Sequence, residues 1–160
     1  MATKGNTVLN KGIPQLTDAF VVIVKTEWNP HIVDALEAGC KRVLEENGVA
    51  VETYVVPGAV EIPFAIKAIY STPGKTVNAF VALAAVIKGD TPHFEYVCKG
   101  ITDGITQLNL SLDVPIVFGV LTVNNEEQAL ERIGGVHGHK GEEAAITAIK
   151  MIAFYRYLYQ

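Results

Sequence analysis

The run KGDTPH, Lys88 to His93, places a cation, a carboxylate, a hydroxyl and an imidazole within six positions, directly after the apolar stretch AFVALAAVI. An imidazole, with an unperturbed pKa of about 6.5, both takes and gives protons near neutrality, and a helix N-terminus beside it favours the neutral, proton-accepting form. Backbone amides that open a helix around Thr91 present unpaired donors and roughly half a positive charge, which is a seat for a phosphate. An ordinary reading stands next to this one. Gly89, Thr91 and Pro92 are turn and cap residues, most helix starts bind only water, and His93 is then a surface histidine. The loop has neither G-x-x-x-x-G-K-[ST] nor G-x-G-x-x-G, so nucleotide binding gains no support.

Other residues add to the same chemistry. Trp28 is the sole tryptophan and sits in a loop just before the helix cap Asn29; it either plugs the end of a sheet or stacks on a planar ligand. Glu61 in PGAVEIP offers a carboxylate to hydroxyl or N–H groups, or is simply a favourable charge at a helix start. Arg132 and Lys140 flank the glycine-rich stretch GGVHGHKG, as solvated side chains or as a match for a phosphate. His137 and His139 form an H-x-H pair with no further ligand at a metal-binding spacing, so no metal is expected. Cys40 and Cys98, the two cysteines, fall on apolar faces of expected helices and read as buried free thiols.

These residues need elements to hold them. AFVVIV from Ala19 is a continuous apolar run, as expected of a strand covered on both faces. Asn29 as N-cap and Pro30 at the first turn open a helix whose apolar residues, Val33, Leu36, Cys40, Val43 and Leu44, recur at helical steps until Asn47 and Gly48 stop it. The same order of strand, loop and helix repeats. VETYVV leads through PGAVE to a short helix opened by Pro63, and NAFVALAAVI leads through KGDT to a long helix with Phe94, Val97, Cys98, Ile101, Ile105 and Leu108 on one side. PIVFGVL is a fourth strand, followed by NNEEQALER, where Asn124 and Glu127 resemble a capping box. After the glycine-rich break a final helix carries Ala145, Ile149, Ile152 and Ala153 toward the aromatic tail FYRYLY. Strands alternating with helices imply a parallel sheet between helix layers, with ligands beyond the carboxyl ends of the strands.

The 160 residues suit one domain burying roughly 70% of its unfolded surface. Residues 1–18 read as an N-terminal arm that can lie across a neighbouring subunit, and 19–160 as the domain. Apolar residues make up 49% of the chain and charged residues only 19%, against roughly 25% in typical soluble domains, and mean hydropathy is positive. An oligomer is expected, because subunit contacts would bury the excess. A net charge of -4 argues against nucleic acid and anionic lipid. The longest apolar run falls well short of the about 20 residues that a membrane span needs, and the N-terminal stretch lacks a signal-peptide core, so a cytoplasmic location is expected.

The ordered set VPGAVEIP, VIKGDTPHFEYV, VPIVFGVLT, EEQALER and GHKGEEAA resembles lumazine synthase, from about Phe20 to the last helix. The resemblance implies a flavodoxin-like three-layer α/β/α sandwich with a four-stranded parallel sheet. It also implies condensation of 5-amino-6-(D-ribitylamino)uracil with 3,4-dihydroxy-2-butanone 4-phosphate to 6,7-dimethyl-8-ribityllumazine, phosphate and water, without metal or organic cofactor. By the same resemblance Trp28 stacks on the pyrimidine, Ala59 and Glu61 engage the ribityl chain, the backbone of Ala85, Val86 and Ile87 meets the heterocycle edge, and Asn29 and Val60 are further substrate-binding residues. Asp90 and Thr91 seat the phosphate and His93 carries protons as general acid and base. An adjacent subunit then supplies Phe118 over the ring, Arg132 on the phosphate and Lys140 nearby. Family members form pentamers, some build icosahedral shells of twelve pentamers, and riboflavin synthase is a candidate partner. Glu27, Lys88 and His139 depart from the family's commoner basic residue, arginine and asparagine at those positions.

Overall fold

The computed structural model describes residues 8–159. Four parallel strands, β1 (Phe20–Thr26), β2 (Ala50–Val56), β3 (Ala79–Ile87) and β4 (Ile116–Val123), form one sheet in the order β2-β1-β3-β4. Helices α1 (Pro30–Glu46) and α5 (Lys140–Leu158) cover one face, and α2 (Ile62–Tyr70) and α3 (His93–Ser111) the other. This is a three-layer α/β/α sandwich of the flavodoxin-like kind, as expected. Alternate residues of β1 and β3 enter opposite cores: Val21, Ile23, Val81 and Leu83 pack with α1 and α5, while Val22, Val24, Phe80 and Ala82 pack with α2 and α3. Burial on both faces is why these strands read as unbroken apolar runs.

Helix α1 stops where Gly48 takes φ 76, a backbone state costly for a residue with a side chain. On its face toward the sheet, a charged network joins α1 to β1 and to the edge strand β2. Lys25 Nζ donates to Asp34 at 2.7 Å and to Glu37, and Glu37 also accepts from Lys41 at 2.6 Å and from Thr53 Oγ1 at 2.8 Å.

Several local expectations change. The capping box is one residue later than read: Asn125 caps α4 (Glu126–Leu130) by accepting from the Gln128 amide, and the Gln128 side chain accepts from the Asn124 amide. The glycine-rich break is an antiparallel hairpin of β5 (Ile133–Gly135) and β6 (Gly138–His139), with Ile133 opposite His139 and Gly138 at φ 77. The aromatic tail continues α5 rather than leaving it. Cys40 is buried, which pushes its thiol up to about 12, whereas Cys98 is only half-buried, its thiol raised by burial and by Glu95. Both are free thiols. The part of the arm that is described, from residue 8, has no regular element, yet Leu16 is buried against the α1 and α5 core and its amide donates to Asn47 O. The remainder of the arm, residues 1–7, lies outside the described residues. No helix among the described residues is long and apolar enough to cross a membrane.

Burial alone would raise the Glu37 carboxyl, but the hydrogen bonds from Lys25, Lys41 and Thr53 outweigh it and hold it at about 2. A carboxyl depressed on folding contributes stability above its unfolded pKa and loses it as pH falls through its folded one. Glu37→Gln should therefore lower the unfolding free energy at pH 7 by about 1–3 kcal/mol, as for a lost charged hydrogen-bond partner. Urea titrations should show the gap to wild type closing as pH falls from about 4.5 to about 2; a gap independent of pH would contradict the assignment.

Candidate active site

The strand order reverses direction between β1 and β3, since β1 continues to β2 on one side and β3 to β4 on the other. In such sheets the loops leaving the two strands diverge and open a crevice at their carboxyl ends. A cleft of about 540 Å³ lies there. Its floor is Thr26 from the end of β1 and Ala84, Ala85, Val86 and Ile87 from the end of β3; its walls are Trp28 and Asn29, the Gly58 to Glu61 loop, and His93 and Val97 of α3.

Asn29 ties the floor to the wall. Its type suits an N-cap, but its side chain does not cap α1. It adopts φ 54, ψ 53, and Nδ2 donates to Ala85 O at 2.9 Å, bridging the two loops across the crevice. The left-handed state is one that Asn tolerates better than most residues. This bond holds the start of α1, and with it the neighbouring Trp28, at the end of β3. Trp28 itself is 72% exposed, so it does not plug the sheet.

Gly58 sits where the first and second walls meet. A Cβ there would lie 2.8 Å from Glu61 Oε2 and 3.8 Å from Trp28 Cδ1, so a larger residue would push the carboxylate away from its place beside the indole. Residues 59–61 form one turn of 3-10 helix ahead of α2, which leaves Val60 and Glu61 exposed at the cleft wall and Ala59 buried beneath them.

His93 is the first residue of α3 and is exposed at the cleft mouth. Pro92 occupies the cap position and no side chain caps the helix; the Glu95 amide donates to Pro92 O at 3.1 Å, which leaves the His93 and Phe94 amides as donors for a ligand. Asp90 and Thr91 are exposed on the loop leading in, at the rim rather than in the lining, and Thr91 precedes the helix instead of opening it.

Nine of the residues named from the sequence thus line one cleft: Trp28, Asn29, Ala59, Val60, Glu61, Ala85, Val86, Ile87 and His93. Phe118, Arg132 and Lys140 do not. Phe118, 40% exposed on β4, and Lys140 line a second cleft of about 610 Å³ on the β4 and α5 side, with Glu143 and Met151. Lys140 Nζ donates to both oxygens of Glu143, at 2.8 and 2.9 Å, and Arg132 Nη1 to Gln128 O at 2.6 Å. Thr26, Gly58, Ala84 and Val97 join the first cleft without having been singled out. Only Gly58 had a signal, in the Pro-Gly turn of PGAVE.

A family model described as 6,7-dimethyl-8-ribityllumazine synthase matches residues 18–156. Among relatives, the 6,7-dimethyl-8-ribityllumazine synthase of Parabacteroides distasonis is 45% identical over 145 residues, 89% of each chain. That of Christiangramia forsetii is 44% identical over 157 residues, 94% of this chain and 93% of the other. That of Bdellovibrio bacteriovorus is 49% identical over 133 residues, 82% of this chain and 73% of the other.

Asn29 combines a left-handed backbone with a part-buried bond, and two substitutions separate them. Asn29→Ala should cost about 1–3 kcal/mol, from the lost bond and the strain of Ala in that region. Asn29→Gly loses only the bond and should cost about 1 kcal/mol less. Equilibrium unfolding in urea measures both, and a Gly variant as damaged as the Ala variant would remove the backbone contribution.

Proposed function

The chain belongs to the 6,7-dimethyl-8-ribityllumazine synthase family, and from that membership we propose that it condenses 5-amino-6-(D-ribitylamino)uracil with 3,4-dihydroxy-2-butanone 4-phosphate at a site shared by two copies of the chain. The family's chemistry is lumazine formation in riboflavin biosynthesis, a transferase activity. One observation supports the shared site above all others: the cleft holding Trp28, Glu61 and His93 has an open side, while Phe118 and Lys140 face a different cleft of the same chain.

The residues take their roles from chemistry and place. Trp28, exposed at the wall, stacks on the pyrimidine, with Asn29 beside it. The backbone of Ala85, Val86 and Ile87, at the open end of β3, meets the heterocycle edge. Ala59, Val60 and Glu61 receive the ribityl chain, whose hydroxyls donate to the Glu61 carboxylate. Asp90, Thr91 and the uncapped first turn of α3 seat the phosphate, and Arg132 and Lys140 of a second copy reach it from the other side while Phe118 closes over the ring.

The substrate amine attacks the ketone carbonyl and water leaves as the imine forms. Loss of the C3 proton then expels phosphate from C4, the resulting enol takes up a proton at C4 to become a C3 ketone, the ribitylamino nitrogen attacks that carbonyl to close the ring, and a final dehydration gives the lumazine. Each step moves a proton, and His93 at the cleft mouth stands next to the seat from which phosphate leaves. Holding two substrates in one orientation supplies roughly 7 to 11 kcal/mol, so the site works largely as a template. The reading requires neither metal nor organic cofactor. We place the chemistry in the cytoplasm and in a pentamer, which in a shell of pentamers could also enclose riboflavin synthase; residues 1–18 act as the arm and 19–160 as the catalytic domain.

With both substrates supplied, formation of the fluorescent lumazine should exceed the uncatalysed rate. His93→Ala should lower kcat by roughly 10²-fold, the low end of what acid–base groups contribute, and Arg132→Ala should chiefly raise KM for the phosphate substrate. The shared site has its own test. Co-assembling equal amounts of the two variants should restore about a quarter of wild-type sites, because a random neighbour then supplies Arg132 to a chain that retains His93. No gain over the separate variants would place the whole site in one chain.

A further inference from the structure

Lys140 lies between two residues that are both pressed into the surface of α1. On one side is His139, whose ring fills the hollow over Gly39: a Cβ on Gly39 would lie 2.2 Å from His139 Cε1, 2.6 Å from Nδ1 and 2.7 Å from Nε2. On the other is Gly141, where a Cβ would lie 2.0 Å from Leu36 O. Leu36 and Gly39 are one turn apart on the buried face of α1.

His139 also caps α5. Its Nδ1 accepts from the Glu142 amide at 3.4 Å, so the same ring that fills the Gly39 hollow holds the first turn of the helix. Position 139 is paired with Ile133 in the hairpin, and the Lys140 amide donates to Arg132 O at 2.8 Å. The backbone of Lys140 is therefore held from three directions: the α1 hollow, the α5 cap and the strand that follows Arg132.

We infer that His139, seated on Gly39, is a positioning residue for the Arg132 and Lys140 pair. This rests on the reading that the two cations serve the phosphate of the substrate. His139 touches no reacting atom. The ring fixes where the β5–β6 hairpin and the start of α5 meet α1, and so fixes the separation and direction of the two cations. The pyrimidine cleft, built from Asn29, the β2 to α2 loop and the end of β3, shares no lining residue with this contact. A fault at position 139 or 39 therefore affects recognition of the phosphate and leaves recognition of the pyrimidine intact.

The test uses the assembled enzyme and four variants. His139→Ala removes ring and cap; His139→Asn keeps a capping oxygen in a smaller side chain, since Asn is among the preferred caps. Gly39→Ala evicts the ring without touching position 139, and the double variant Gly39→Ala with His139→Ala has no ring to evict. KM for the phosphate substrate should rise about fivefold or more in His139→Ala and in Gly39→Ala, while KM for the pyrimidine substrate stays within about twofold. His139→Asn, which keeps the cap but leaves the Gly39 hollow part-empty, should fall between wild type and His139→Ala, and adding Gly39→Ala to His139→Ala should change nothing further. In urea, Gly39→Ala should lower the unfolding midpoint when His139 is present and raise it in the His139→Ala background, because Ala favours a helix over Gly.

Both KM values rising together, neither rising, or effects of the two sites that add independently would overturn the inference. Calorimetric titration of the same proteins with inorganic phosphate reads the placement of the cations without turnover. Wild type that makes no lumazine would sink the functional reading alone, whereas phosphate affinity unaltered in Gly39→Ala and His139→Ala would sink this one.

Discussion

Burial of β1 and β3 on both faces is the constraint from which the rest follows. Apart from Lys25 and Thr26 at the end of β1, their side chains are committed to two apolar cores, which leaves little room for a polar functional group along either strand. Polar groups can appear only where the strands end, and the strand order makes the ends of β1 and β3 adjacent while their loops diverge. Asn29 then stabilises the gap instead of closing it: its bond to Ala85 O satisfies a carbonyl at the end of β3 and leaves the rest of the crevice open to a ligand.

Helix α1 links this crevice to the far side of the molecule. Its start carries Asn29 and Trp28 against the end of β3, and its middle carries Leu36 and Gly39 against the start of α5. The two contacts lie on one rigid helix at Asn29 and at Leu36 and Gly39, roughly 10–15 Å apart at 1.5 Å per residue, so they set two surfaces at a fixed separation. The same helix carries Glu37, which joins β1 and β2 through Lys25 and Thr53. A protein that serves its own cleft with one surface and a neighbour's with another needs such a spacer, because an error in the spacing would be repeated at every interface of a symmetric ring.

The sequence disclosed the layers more faithfully than the local contacts. Continuous apolar runs marked β1 and β3 because burial on both faces erases alternation, and the helical spacing of Val33, Leu36, Cys40, Val43 and Leu44 marked the buried face of α1. The capping box failed for a reason visible in the residues. Asn124 and Asn125 are adjacent, each has Glu127 or Gln128 three positions on, and either pair satisfies the pattern; the fold uses the second. The β5–β6 hairpin escaped notice because strands of three and two residues are too short to show a period. Asn29 had the correct residue type at the correct place but a long-range partner, 56 positions away, that no local rule supplies. Within the candidate site, the loop residues around Trp28, Glu61 and His93 could be argued from their own neighbourhoods. Arg132 and Lys140 could be marked as a match for a phosphate but not assigned to a cleft they do not line, and Phe118 was named by the family resemblance alone.

The two cations show why placement matters more than charge. Neither is bare: Lys140 holds Glu143, three residues on in the same helix, and Arg132 holds the Gln128 carbonyl with Glu131 3.6 Å away. A phosphate that arrives does not gain a free charge, because it replaces acceptors already in position, and the Coulomb gain of exchanging one anion for another at similar distance is small. What the exchange can gain comes from geometry. An arginine fork and an ammonium held at one separation match a tetrahedral anion and match a single carboxylate poorly. The selectivity of such a pair therefore depends on how firmly its backbone is held. The hairpin bond from Lys140 to Arg132 O and the wedging of His139 and Gly141 into α1 supply that rigidity, from residues that do not line the cleft where the ring of the substrate would lie.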